Sequence, residues 1–285
     1  MSGKHTVVAK SGFALALVVL LLGGLAVYKV EQTSQQLSDL HAQARSIGGD
    51  SYPTKSESRE LPAPVKRYFE FVFRGNERSV SYVELKMAGE FRRPLTETFE
   101  PTTARQTLVP NVPALVFEAY TPIFPGIYAT VYDAYLDGEM EMKAKLLSLL
   151  TVVDEKSSVS LDRVSLRRWL LEASLYPQAL RPSAYLKWES IDNLHARAVV
   201  NYKTISIDMV ATFSEDDGRL VSLHAEQDGD LTTPYHGSGE FVSRSDYRDV
   251  EGVMIPFKFT VARMAKGKIF PFWKGEVTAY KAHYL

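Results

Sequence analysis

Glu172 and Arg168 stand four residues apart in a stretch, Leu161 to Tyr176, whose apolar residues recur at helical spacing. One helical turn brings that carboxylate and guanidinium within reach of each other, and their apolar neighbours desolvate both. Two chemistries follow: an ion pair that closes the helix onto the fold, or a polar clamp for a ligand head group. Asp133, Tyr135 and Asp137 alternate, so a strand there projects all three from one face. Carboxylates so placed serve acid and base chemistry or hold a cation, whereas the following Gly138 equally makes Asp137 a turn residue. Glu226, Asp228 and Asp230 repeat the alternation, either as a solvated rim or as a calcium site.

Other chemistries find no frame. The six histidines, at 5, 41, 195, 224, 236 and 283, lack HxH and HExxH spacing, so no metal is expected. His236-Gly237-Ser238-Gly239 places a serine between glycines but without the GxSxG frame or a strand-to-helix elbow. Glycine-rich phosphate loops are absent, so no cofactor is expected. A formal charge of -1, with no basic run, gives no electrostatic reason to expect nucleic acid.

The rings say more. Tyr120, Phe124, Tyr128, Tyr132, Tyr135, Trp169, Tyr176, Trp188, Phe270, Phe272 and Trp273 are either core packing or the lining of an apolar cavity with hydroxyls as orienting groups.

The elements that must position these groups are mostly strands. Val83, Leu85, Met87, Gly89 and Phe91 alternate with polar residues, as do Met140 to Ala144, Ala196 to Val200, Ile205 to Phe213 and Val253 to Val261. Asp137-Gly138, Asp192-Asn193, Asp217-Gly218, Glu251-Gly252 and Lys266-Gly267 fall between the rows at hairpin spacing. About a dozen strands with short links and no crossover helices predict an antiparallel meander, which must curl strongly or close to hide its edges. The fold class is therefore mainly β with few helices: a strongly curved sheet or half-barrel around a central helix.

That central helix, from about Leu161 to Tyr176, has Ser160 or Asp162 as its N-cap and Pro177 as its end. Leu166, Trp169, Leu170 and Ala173 form one apolar stripe, and Val164, Leu171 and Leu175 form a second nearly opposite. A helix apolar on two sides is buried on two sides. A shorter helix, Val65 to Phe73, opens the domain behind Pro62 and Pro64.

At the head of the chain, Ser11 to Tyr28 is an uncharged run of 18 residues between Lys10 and Lys29. As a helix it spans about 27 Å, close to the roughly 30 Å hydrocarbon core of a bilayer. Lys4, Lys10 and the amino terminus precede it, which favours a cytoplasmic N-terminus, an extracytoplasmic remainder and a place in the bacterial inner membrane. A cleaved signal peptide ending near Gly24-Leu25-Ala26 is the alternative. Residues 31–60 read as a polar stalk whose first half continues the helix through Leu37, Leu40, Ala44 and Ile47 as far as Gly48-Gly49. With 45% hydrophobic residues and no break in composition, residues 61–285 are expected to form one β-rich domain.

Several segments resemble an uncharacterised bacterial family known as a domain of unknown function: LPAPVKRY (61–68), VYDAYLDGEMEMKAKLLSLLTVV (131–153), RRWLLEASLYPQALRPSAYLKWESID (167–192), IPFKFTVAR and FWKGEVTAY. The chain departs from that pattern at Glu139 and at Ser174-Leu175-Tyr176. The resemblance implies no activity. The architecture is also similar to that of periplasmic lipid and lipoprotein carriers, which hold acyl chains in an open half-barrel, though fold does not imply function.

These readings combine into a membrane-anchored protein that binds a membrane lipid or apolar small molecule without catalysis, through Arg168, Glu172, Trp169, Trp188, Tyr135 and Asp133. The alternatives are an envelope hydrolase using Glu172 and Asp133 as acid and base, and a scaffold for another envelope protein.

Overall fold

The computed structural model describes residues 3–52, 60–93, 96–227, 229 and 239–285, with side chains from residue 20 onward. The side chains of residues 11–19, and Asp228, Asp230, His236 and Ser238 of the sequence reading, lie outside the described residues.

Among the described residues, thirteen antiparallel strands make one sheet. In chain order they are β1 (Val80–Arg92), β2 (Phe99–Val109), β3 (Ala114–Phe124), β4 (Ile127–Leu136), β5 (Glu139–Leu146), β6 (Leu150–Lys156), β7 (Leu186–Ser190), β8 (His195–Tyr202), β9 (Ile205–Phe213), β10 (Leu220–His224), β11 (Phe241–Val250), β12 (Val253–Ala265) and β13 (Lys268–Tyr284). Their spatial order is β6-β5-β4-β3-β2-β1-β13-β12-β11-β10-β9-β8-β7. Two meanders, β1 to β6 and β7 to β13, are thus joined at the centre by the pairing of β1 with β13, where Leu85 faces Tyr280. All five expected turns connect adjacent strands. At Asp137-Gly138, Glu251-Gly252 and Lys266-Gly267 both residues have positive φ, the geometry that matches the twist of a tight hairpin.

The connection between the meanders leaves one edge strand, β6, and returns at the other, β7. It contains helix α3 (Val159–Glu172) and 3-10 turns at Ala173–Leu175 and Pro177–Leu180. Ser158 caps α3 by accepting from the Leu161 N–H, two residues before the expected cap. Asp162, expected as a cap, instead accepts from the Met140 N–H at 2.8 Å and pins the helix start to β5. Both apolar stripes are used: Leu166, Trp169, Leu170, Leu171, Ala173 and Leu175 are all buried. The sheet curls until its meanders meet, with Lys203 between β8 and β9 against Asp137 between β4 and β5 (2.7 Å), and the rings of Tyr135 and Tyr202 edge to face at 6.4 Å. Helix α2 (Ala63–Phe73) adds Val65, Phe69, Val72 and Phe73 to the same concave core.

The convex face carries a helix as well. Helix α1 (Gly3–Asp50) is continuous through the uncharged run and beyond it. Residues 31–60 were expected to form a stalk, but from Thr33 to Ser51 they lie against the sheet. Thr33 Oγ1 donates to Ser148 O at 3.0 Å, Gln36 Nε2 donates to the Tyr132 hydroxyl at 2.7 Å, and Arg45 pairs with Glu84 at 3.2 Å. Ala44 packs with Val116 and Ala134, and a Cβ on Gly48 would stand 2.6 Å from Ser81 O, so a glycine is needed for the approach. The polar composition that suggested a spacer is that of an amphipathic helix whose partners are themselves largely polar. Among the described residues no helix is long and apolar enough to cross a membrane.

His41 sits at the middle of this contact, with Nδ1 hydrogen-bonded to Thr107 Oγ1 at 2.8 Å. Burial, aided by Arg105 and Arg45 and opposed by Glu84, lowers its pKa from 6.5 to about 4. Glu118 lies 3.8 Å from Nε2, but its carboxylate is held by Arg105. Because the docked helix refuses a proton that the free one takes up, this contribution is complete above about pH 6.5. It falls away as pH drops toward 4, by up to about 3 kcal/mol. Amide protection factors in residues 33–48, taken relative to the intrinsic exchange rate at each pH, should therefore fall through that window in the natural chain, and His41→Asn should flatten the dependence.

Candidate concave-face site

Register decides which side chains can meet beneath α3. Leu85, Gln106, Phe117, Asp133 and Met142 form one row across β1 to β5, all on the concave face. The row above, Leu108, Leu115, Tyr135 and Met140, lies under α3, where Trp169 Nε1 donates to Val109 O at 2.8 Å. The row below begins at Met87 and is small and apolar across β2 to β5: Ala104, Ala119, Val131 and Ala144. Phe117, Val131 and Met142 on these rows are half-buried.

Where α3 meets the Gln106 row, it does so through charge. Arg168 Nη1 donates to Asp133 Oδ2 at 2.8 Å while its guanidinium stacks on Phe117, 4.2 Å from the ring centre. Its Nε lies 4.0 Å from Glu172, whose other oxygen accepts from Arg244 Nη2 on β11 at 3.0 Å. Arg244 also donates to Leu171 O at 3.1 Å, and its side chain is 1% exposed. One turn of helix thus links β4 of the first meander to β11 of the second through two carboxylates and two guanidinia. Burial pushes the Asp133 carboxyl up, and the Arg168 charge opposes it. A parallel contact runs from Arg167 to the buried Glu240 at 3.0 Å.

Of the residues singled out in the sequence, the fold brings together Arg168, Glu172, Trp169, Asp133 and Tyr135. Trp188 is elsewhere, packed on Phe213 with its Nε1 donating to Leu180 O. Asp137 is not beside Asp133 on a shared cleft; it is an exposed turn residue paired with Lys203. Glu226 binds Arg197 at 2.7 Å. The rings do not converge on one cavity either: Tyr120 and Tyr128 stack on the convex side, Tyr132 lies under α1, and Trp169 and Tyr176 fill the interior. At the two departures from the family pattern, Glu139 is exposed, while Ser174, Leu175 and Tyr176 are fully buried. Among the described residues, no group of three or more His, Asp or Glu side chains could hold a metal ion.

Two residues the sequence reading passed over matter here. Arg244 is charged, yet lies in a strand whose polar alternation reads as solvent-facing. Gln106, 1% exposed, has neither amide atom hydrogen-bonded among the described residues, and Asp133 Oδ1 is likewise unpaired. A buried primary amide left so is costly, on the order of 1 to 3 kcal/mol, unless water or a ligand meets it. The only sequence signal was a glutamine at an inward position between Ala104 and Leu108.

The family of unknown function (DUF6920) matches residues 59–281, and the chain belongs to that family. No curated protein matches it. Among solved structures it is similar to a LolA superfamily protein from Nitrosomonas europaea, 10% identical, covering 79% of this chain and 96% of that one with a TM-score of 0.40. It is also similar to a DUF1329 family protein from Desulfovibrio piger, 11% identical over 79% and 94% with a TM-score of 0.41, and to a porin-like protein from Bacteroides uniformis, 10% identical over 73% and 100% with a TM-score of 0.27. Scores this low have no bearing on what the chain binds.

Removing one member of the charge relay strands another. Arg168→Met should lower stability by about 3 to 5 kcal/mol in urea unfolding, because it leaves the Asp133 carboxyl buried and alone. Adding Asp133→Asn should recover a large part of that loss.

Proposed function

We propose that this member of the DUF6920 family holds a lipid or other apolar molecule on the concave face of a membrane-anchored, extracytoplasmic sheet. The apolar chain of the guest lies along Ala104, Ala119, Val131 and Ala144, and its polar end meets Gln106, Asp133 and Arg168. The observation that supports this reading is the Gln106 amide, buried and unpaired among the described residues on the row just above that run of small side chains. Pockets for apolar ligands combine such a lining with a few convergent polar groups. The guest's place is beside α3, further along the strands, and not under it, since Leu166, Trp169, Leu170 and Tyr176 leave the helix-covered part filled. Anchoring through residues 11–28, with the domain outside the cytoplasm, rests on the uncharged run and the lysines before it.

Binding is favoured over hydrolysis by the state of the carboxylates. General acid and base catalysis needs a carboxyl that exchanges a proton beside the reacting bond. Asp133 and Glu172 each hold a guanidinium instead.

A photoactivatable long-chain fatty acid offered to the full chain in lipid nanodiscs should crosslink to peptides of β2 to β4. Ala119→Trp, which fills the run, should reduce that labelling at least tenfold, and Gln106→Leu should reduce it severalfold while leaving the fold intact. Labelling confined to residues 11–28, or unchanged in both variants, would overturn the proposal.

A further inference from the structure

The β3–β4 hairpin is apolar at its tip and exposed. Phe124 is 67% exposed, and Tyr120 and Ile127 are exposed with it, beside Pro122 and Pro125 around a shallow depression of about 400 Å³. Next to it, across β5, Leu150 and Val152 of β6 are exposed as well, Leu150 at 63%. Isolated apolar surface residues are ordinary, but exposed apolar residues gathered at the ends of two neighbouring hairpins call for a partner.

The position of α1 identifies that partner. Thr33 Oγ1 bonds to Ser148 O in the β5–β6 turn, and the Leu147 N–H bonds to Tyr128 O at 2.9 Å, so Thr33, this turn and Tyr128 share one level. From Tyr128 the β3–β4 hairpin runs on through Ile127 to Gly126, about 7 Å at about 3.4 Å per residue. From Thr33 the helix runs back to Lys29, about 6 Å at about 1.5 Å per residue. Hairpin tip and helix therefore reach the same level, where the uncharged run begins. Leu20, Leu21, Leu22, Leu25, Val27 and Tyr28 are all exposed just past that point. Tyrosine and phenylalanine at such a level are side chains that settle into the boundary between head groups and acyl chains.

We infer that the tips of the β3–β4 and β5–β6 hairpins dock into the surface of the lipid bilayer that residues 11–28 enter, fixing the sheet with this end toward the membrane. This rests on the anchoring in the proposed function and adds an orientation to it. Docking at this end also turns the small-residue run of the concave face toward the bilayer, since Ala119 and Val131 lie between the Gln106 row and the same hairpin.

The chain contains no cysteine, so single cysteines carry a nitroxide label unambiguously. With the full chain in phosphatidylcholine vesicles containing a minority of phosphatidylglycerol, labels at Leu22→Cys, Ile127→Cys, Leu150→Cys and Asp216→Cys report depth by collision with oxygen and with a water-soluble nickel chelate. Leu22→Cys should read as deep, Ile127→Cys and Leu150→Cys as interfacial, and Asp216→Cys, between β9 and β10, as aqueous. Phe124→Asp should shift the Ile127→Cys label at least severalfold toward the nickel chelate. A deep Leu22→Cys label with aqueous labels at 127 and 150 would overturn the docking and leave the anchor standing, as would hairpin burial that appears only when another protein is added. An aqueous Leu22→Cys label would overturn both.

Discussion

Everything on the concave side depends on one segment being acceptable to two surfaces at once. The connection from β6 to β7 must cross from one edge of the sheet to the other, because those strands are its two ends. It crosses as α3, and a helix between two apolar walls needs apolar residues on opposite sides. Leu166 and Leu170 on one side and Leu171 and Leu175 on the other meet that need. The remaining positions carry Arg167, Arg168 and Glu172, whose charges enter the interior and are matched by Asp133, Arg244 and Glu240. Such ion pairs add little net stability over apolar packing, but a mispaired arrangement is heavily penalised. They therefore act as a register for the helix between the meanders.

The charge relay and the proposed guest site share Asp133 and Arg168, which gives the site a fixed frame. One oxygen of Asp133 is engaged by Arg168, while the other faces the interior unpaired among the described residues. Arg168 is itself held over the Phe117 ring. A polar group approaching Gln106 and Asp133 thus meets side chains whose positions are already determined by the helix, so little ordering is required on binding.

The convex side follows a different logic. Helix α1 docks through a ladder of polar contacts, with Leu37, Leu40 and Ala44 as apolar points among the described residues. Such a contact has weak hydrophobic drive and depends on matching donors with acceptors along Thr33, Gln36, His41 and Arg45. Its consequence is orientation: a helix that leaves the sheet at Thr33 carries the apolar residues 20–28 away in one direction relative to the hairpins.

Local pattern was enough for much of this. Period-two alternation marked the strands, turn dipeptides (four with glycine, and Asp192-Asn193) marked five of the hairpin turns, and two apolar stripes announced that α3 is buried on both sides. These are properties of a few adjacent residues, and backbone sterics with apolar burial express them directly. Which charges meet was decided only by the tertiary structure. Arg168 and Glu172 are a turn apart, yet the guanidinium turned chiefly to Asp133, and Glu172 took Arg244 from a strand more than seventy residues away. Gln106 looked unremarkable until the register placed it inward, and residues 31–51 looked like a spacer until the sheet presented Thr107, Tyr132 and Glu84. Ion pairs and polar contacts between distant segments depend on where the curled sheet brings them, which no stretch of neighbouring residues encodes.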